Sequence, residues 1–287
     1  MAQLALDRSF RIAQRRSSYP ADWFIEDDAP VPQSIDHQNN EYRLQSILLA
    51  WKARTGRDDV TVGCELAFRW DVEEPRVGID PDVYIAETPP RNKWGDVSSV
   101  CTWKERNVPP LLAIEIVSDR RPAKDYSRSP ERHDLLGTYE LWVFDPELRG
   151  YTKEQPPVLF QLFQRETNNY LVQTYAGAGP VFSDALQAWV RIVDRELVIS
   201  NDREGKDRWL TGEEEQAQRA DAEAQRADAE AKRADAEAQR ADAEAKRANE
   251  EAKRAADALK LADLERQEKE KALARLAEFE ALLAKRQ

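Results

Sequence analysis

The chain has 287 residues, 34% of them charged, and a formal net charge of −11. No apolar run approaches the roughly 18 residues a helical membrane span needs. The two cysteines, Cys64 and Cys101, build no disulfide framework and fit a reducing cytoplasm. The acidic balance speaks against a protein that coats nucleic acid along a basic stripe. It leaves room for a metal-dependent nuclease, whose site needs carboxylates and whose DNA contacts are local.

Residues 1–31 are largely irregular, with an arm over 1–24 and no cleavage-site pattern that would mark a signal peptide. "SIDHQNNEYRLQSILLAWKARTG" (34–56) places Leu44, Ile47, Leu48 and Trp51 at helical spacing and ends on Gly56, which predicts a helix. "VTVGCELAFRW" (60–70) and "DPDVYIA" (80–86) both read as strands. After a loop with several Pro and Trp, "PPLLAIEIVS" (109–118) is a continuous apolar run with one charge in it. "SPERHDLLGTY" (129–139) suits a helix closed by Gly137, and "ELWVFDP" (140–146) a strand stopped by Pro146. "PPVLFQLFQ" and "NYLVQTYAG" make a hairpin, and "SDALQAWV" and "ELVISN" close a domain spanning 25–210. Strands interleaved with helices predict an α/β fold, a mixed sheet flanked by helices.

Beyond Gly212 the composition changes. "RADAEAQ" (219–225) and "RADAEAK" (226–232) open a seven-residue repeat, in which Ala220, Ala224, Ala227, Ala231 and Ala234 trace an a/d seam. Asp228 with Lys232, and Asp242 with Lys246, are favourable i,i+4 pairs. Residues 213–287 are expected to form a long helix, either a coiled coil that joins copies of the chain or a solvated single helix. An alanine seam holds a partner weakly. Leu259, Leu273, Leu276, Phe279, Leu282 and Leu283 put the stronger association at the distal end.

Two carboxylates suggest chemistry. Glu115 sits mid-strand between Ile114 and Ile116, where an unpaired charge would be costly. Asp82, 33 residues earlier, stands at the mouth of another apolar strand behind Pro81, while Asp80 reads as a turn residue. If the strands are neighbours, the two carboxylates meet at one sheet end as a hard oxygen site suited to Mg²⁺. His37 and Glu41, i,i+4 on the first helix, either extend that site or are local helix residues. Arg120, Arg121, Lys124 and Arg128 form a basic cluster after the Glu115 strand, either a solvated loop or a contact for a phosphate backbone.

In this order, "DPDVYIA", "PPLLAIEIVS", Asp125 and "LLGTYELWVFDP" resemble the Uma-type (Uma-two) family of restriction endonucleases. A histidine near the front of the first helix, here His37, and a C-terminal Ala/Glu/Arg coil are also similar to that family. The resemblance covers roughly residues 25–210. It implies a restriction-endonuclease-like fold of the Asp…Glu-x-Lys superfamily, with Asp82 and Glu115 as the metal-binding acids. The superfamily lysine position, two residues after the Glu, holds Val117. Counting back from Gly137, the family's shifted lysine position holds Ser129 and its aromatic position His133.

Two functions therefore stand. The first is a cytoplasmic endodeoxyribonuclease using Mg²⁺ or Mn²⁺. In it Asp82 and Glu115 hold the metal, His37 or Glu41 assists, and Lys124 or Arg128 orients water or stabilises the phosphoryl charge. Its partners are DNA and further copies of the chain joined through the coil, with no membrane. The second is a nuclease-fold protein without catalysis that serves as a coiled-coil assembly or scaffold module.

Overall fold

The protein is described by a computed structural model covering residues 11–25, 34–87, 99–118, 122–153 and 156–284. Arg120, Arg121 and the Phe279, Leu282 and Leu283 side chains lie outside what it describes. It divides into two compact units, Met1–Gln216 and Ala217–Gln287.

Helix α1 (Ile35–Thr55) begins at Ser34, whose hydroxyl accepts the His37 N–H at 3.2 Å, and stops at Gly56 in the left-handed region. Leu44, Ile47, Leu48 and Trp51 form its buried stripe. The stretch expected as a single strand over 60–70 is two, β1 (Val60–Gly63) and β2 (Ala67–Arg69), in different sheets. Between them the chain turns through Glu65 at φ 50°, a change of direction that alternation of side chains cannot reveal.

The next strands are β3 (Gly78–Ile79), β4 (Val83–Glu87), β5 (Ser99–Cys101) and β6 (Leu112–Ile116). Helix α2 (Pro122–Leu136) starts seven residues before the expected 129. Pro122 supplies a preset first turn, and Pro130 lies inside the helix instead of in its first turn. Then come β7 (Glu140–Phe144), β8 (Phe160–Arg165), β9 (Leu171–Gly177), β10 (Val181–Ser183), β11 (Ala188–Val193) and β12 (Glu196–Ser200).

Six strands form the central sheet in the order β1-β4-β6-β7-β8-β9, flanked by the small sheets β3-β2-β5 and β10-β11-β12. Within the central sheet only β6 and β7 pair in parallel, with α2 as their crossover. Leu112, Ile114 and Ile116 of β6 face the core shared with α1, β11 and β12. Ala113 and Val117 face the opposite core, with Tyr126 of α2. By alternation Glu115 belongs to that second face.

The irregular arm is packed rather than loose over its described part. Trp23 lies against Trp70, and the buried Arg11 pairs with Glu87 at 2.8 Å. At the other end of β7, buried Glu140 accepts bonds from Trp142 Nε1 at 2.7 Å and from the Asp184 N–H at 2.9 Å. This carboxylate ties the central sheet to the β10 region, and Trp142 is core.

Helix α3 (Gly212–Ala284) is one continuous helix. Beyond 216 its described side chains are exposed, with i,i+4 pairs such as Asp242–Lys246 at 3.1 Å. No described helix is long and apolar enough to cross a membrane.

Candidate active site

The ladder between β4 and β6 pairs Val83 with Ile114 and Tyr84 with Ala113. One step further in the same register sets Asp82 opposite Glu115, and opposite residues of an antiparallel pair point to the same face. The backbone ladder ends there, and the Asp82 side chain takes over: its Oδ2 accepts the Ile116 N–H at 2.6 Å. The expectation that the two acids meet at one sheet end therefore has a simple geometric basis. Asp80, by contrast, is solvent-exposed, as a turn residue should be.

Glu115 is 6% exposed. An apolar side chain in its place would gain about 2 kcal/mol from burial, so the glutamate gives up that gain and adds a desolvation cost. Its Oε1 lies 2.8 Å from Nε2 of His133, whose Nδ1 lies 2.8 Å from the Thr138 hydroxyl. Burial, then the adjacent Arg132 and Arg165, press the His133 pKa down to about 3. The ring is thus neutral, and the contact is a hydrogen bond rather than an ion pair. If Thr138 donates to Nδ1, the proton on Nε2 is free to donate to the Glu115 carboxylate. His133 is accordingly a buried positioning residue for Glu115.

Asp125 completes a group of three acids. It is buried on the first turn of α2, and its Oδ2 accepts the Ser118 N–H at 3.1 Å. Burial and then the Asp82 charge push Glu115 up to about 8, while burial and then the Glu115 charge push Asp125 up to about 7. Opposing these shifts are the cations Lys124 and Arg132 at Glu115, and the Ser118 N–H and Lys124 at Asp125.

On the α1 side, Nε2 of the buried His37 sits 3.3 Å from Asp82 Oδ1, but neither ring nitrogen makes an aligned hydrogen bond. Burial lowers the His37 pKa, yet the Asp82 carboxylate, with Glu41 and Asp125 behind it, outweighs burial and leaves it raised. Glu41 is half-buried and hydrogen-bonded to the Cys64 thiol; burial raises its pKa, which that bond opposes. His37 and Asp82 are therefore adjacent, and Glu41 forms an outer rim with Cys64.

Lys124 is half-buried, and its ammonium has no hydrogen bond or ion pair among the described residues. Arg128 is placed differently from the sequence expectation: its side chain is 51% exposed and paired with Asp22, which commits it away from the carboxylates. The sequence offers Arg132 only as one of three nearby cations, its arginine better suited to clamping phosphate than to moving protons, and the structure buries it. The signal was present, because Asp125, Ser129, Arg132 and His133 fall on one face of a helix at i, i+4, i+7 and i+8. A buried helical stripe made of polar residues is what a functional site leaves in a sequence.

The donor set fits a hard divalent cation. Acidic oxygens dominate it, the raised pKa values of Glu115 and Asp125 record a need for positive charge, and Asp82 and His37 present lone pairs with few partners. Among the described residues no group of three or more His, Cys, Asp and Glu side chains is placed to hold a metal ion together. The fit is therefore to a cation held by two carboxylates that keeps several waters.

The sequence profile of the Uma2 family, described as "Putative restriction endonuclease", matches residues 14–193. The chain belongs to this family. Uma2 membership covers every side chain of the carboxylate group and both helices that carry it. A solved structure titled as a putative nuclease belonging to DUF820, from Anabaena variabilis, is similar at 16% identity. It has a TM-score of 0.37 over 55% of this chain and 76% of that chain. No curated protein matches the chain.

Proposed function

We propose that this Uma2 protein is a divalent-metal-dependent endodeoxyribonuclease. Asp82 and Glu115 are its metal-binding acids, and Mg²⁺ or Mn²⁺ is the ion. The observation that carries this reading is the β4–β6 register, which continued by one residue sets Asp82 opposite Glu115, with Asp82 Oδ2 bound to the Ile116 N–H. A bound cation would supply Lewis-acid activation of water and of the phosphoryl oxygens. The chain's own groups do the rest. The Ile116 N–H fixes one oxygen of Asp82 and leaves the other toward His37. His133, itself held by Thr138, fixes Glu115. Lys124, with no committed partner among the described residues, is free to meet a phosphate oxygen or orient water.

The Ala/Leu helix is assigned the role of joining copies, which suits cutting of both DNA strands by paired sites, and the setting is the cytoplasm. The second reading, a non-catalytic scaffold on the same fold, draws on Ser129: at the family's lysine position stands a fully buried hydroxyl without a partner.

Plasmid cleavage with Mg²⁺ or Mn²⁺ separates the two. We expect metal-dependent nicking and linearisation by the native chain, and loss of at least about a hundredfold in Asp82→Ala and Glu115→Ala. Cutting that survives both substitutions, or no cutting under any metal, would leave the scaffold reading.

A further inference from the structure

Three cations follow Glu115 on α2, and the structure treats them differently. Arg128 is paired with Asp22 at the surface, and Lys124 is half-exposed at the first turn. Arg132 is 5% exposed. Its Nη2 donates to the carbonyl of Gly78, at the start of the segment that leads into Asp82, and its buried Nε has no hydrogen-bond partner among the described residues. A guanidinium is too costly to bury with an open N–H unless charge nearby or a ligand repays it. It stands one turn after Ser129 on the same face, so the positive charge absent at 129 reappears at i+3.

We infer that Arg132 is the fixed positive charge of this carboxylate site, set to meet the phosphoryl charge of a bound DNA strand. The inference rests on the nuclease reading for its second half. Arginine stays protonated in proteins, so Arg132 acts by charge and position and not as a base. Its surroundings agree: burial pulls its own pKa down, and Glu115, then Asp80, Asp22 and Asp125, pull it up. Arg132 is adjacent in sequence to His133, which holds Glu115, so one turn of α2 delivers both the cation and the clamp.

The test compares Arg132→Met with Arg132→Lys in the full chain, measuring Mn²⁺ affinity by titration calorimetry, plasmid cleavage, and thermal melting as a check on folding. Both substitutions disturb the bond to Gly78, so a purely structural role moves them alike. A charge role separates them. Removing a neighbouring positive charge should tighten Mn²⁺ binding about tenfold in Arg132→Met and lower cleavage about a hundredfold or more. Arg132→Lys should stay within about threefold of the native chain in both. Equal effects in the two variants, or Mn²⁺ affinity unchanged in Arg132→Met, overturn the inference. Arg132→Gln replaces Arg132→Met, with the same expected outcomes, if the latter melts below the assay temperature. A native chain that binds Mn²⁺ without cutting DNA defeats the nuclease reading alone, and the affinity arm then decides on Arg132. A native chain that binds no Mn²⁺ overturns both.

Discussion

Glu115 and His133 are joined by a 2.8 Å hydrogen bond inside the protein, with Glu115 7% exposed at its side chain and His133 not at all. Two groups that would each be costly to bury alone satisfy one another, and Thr138 satisfies the far ring nitrogen. His133→Phe keeps the ring volume and removes both partners, leaving a buried carboxyl and a buried hydroxyl unmet. Each such group costs about 1–3 kcal/mol, so the substitution should destabilise the domain by roughly 2–6 kcal/mol. Denaturant unfolding of the two chains measures it. A change under about 0.5 kcal/mol would mean that Glu115 finds water or another donor and that His133 does not position it.

The raised carboxyl pKa values set a pH dependence. Glu115 is pushed up to about 8 and Asp125 to about 7 from unfolded values near 4, so in the metal-free protein both bind protons more tightly when folded. Stability is then fully present below the unfolded pKa values and falls as pH rises from about 4 to about 8. A divalent ion competes with those protons, so its affinity should rise over the upper part of the same range. The melting temperature should therefore fall between pH 5.5 and pH 8.0 without metal, and the upward shift on adding Mn²⁺ should be larger at pH 8.0. Differential scanning fluorimetry reads both, and an equal Mn²⁺ shift at the two pH values would show that these acids do not bind the ion.

Much of this site was legible in the sequence, and its gaps have physical causes. Helix α1 could be read because Ser34, Gly56 and the apolar spacing all report the same element locally. Glu115 stood out because an acid in an apolar strand has few inexpensive explanations, and Asp82 because it heads a strand. What failed was α2. Starting the helix at 129, with Pro130 in its first turn, left Asp125 outside it and hid the shared face of Asp125, Ser129, Arg132 and His133. Proline removes one N–H and disfavours helix in the residue before it, but neighbouring contacts hold α2 through that position. The outward placement of Arg128 and the burial of Arg132 were hidden for the same reason, since only the rotation of the helix says which arginine turns inward. The turn at Glu65 was invisible for a different reason: both of its flanks are good strands.

The distal helix gives a prediction about assembly whose magnitude follows from its few leucines. Leu259, Leu273 and Leu276 are 60–70% exposed and lie on the a/d seam, which nearer the start of the helix is built of alanine. Arg266 and Lys269 take the a/d positions between them. In a two-helix coil six such leucines would each gain about 1.5 kcal/mol. The gross gain of roughly 9 kcal/mol is set against at least about 4 kcal/mol for lost freedom on association. A net near 5 kcal/mol corresponds to dissociation at roughly 0.2 mM, with the alanine seam adding modestly. The full chain should therefore self-associate reversibly, its light-scattering mass rising with concentration from about 0.05 to 1 mM. The combined Leu259→Glu, Leu273→Glu and Leu276→Glu chain should keep the monomer mass throughout. A native chain that is monomeric at every concentration, or a triple variant that associates as well as it does, would remove the coil as the joint between copies.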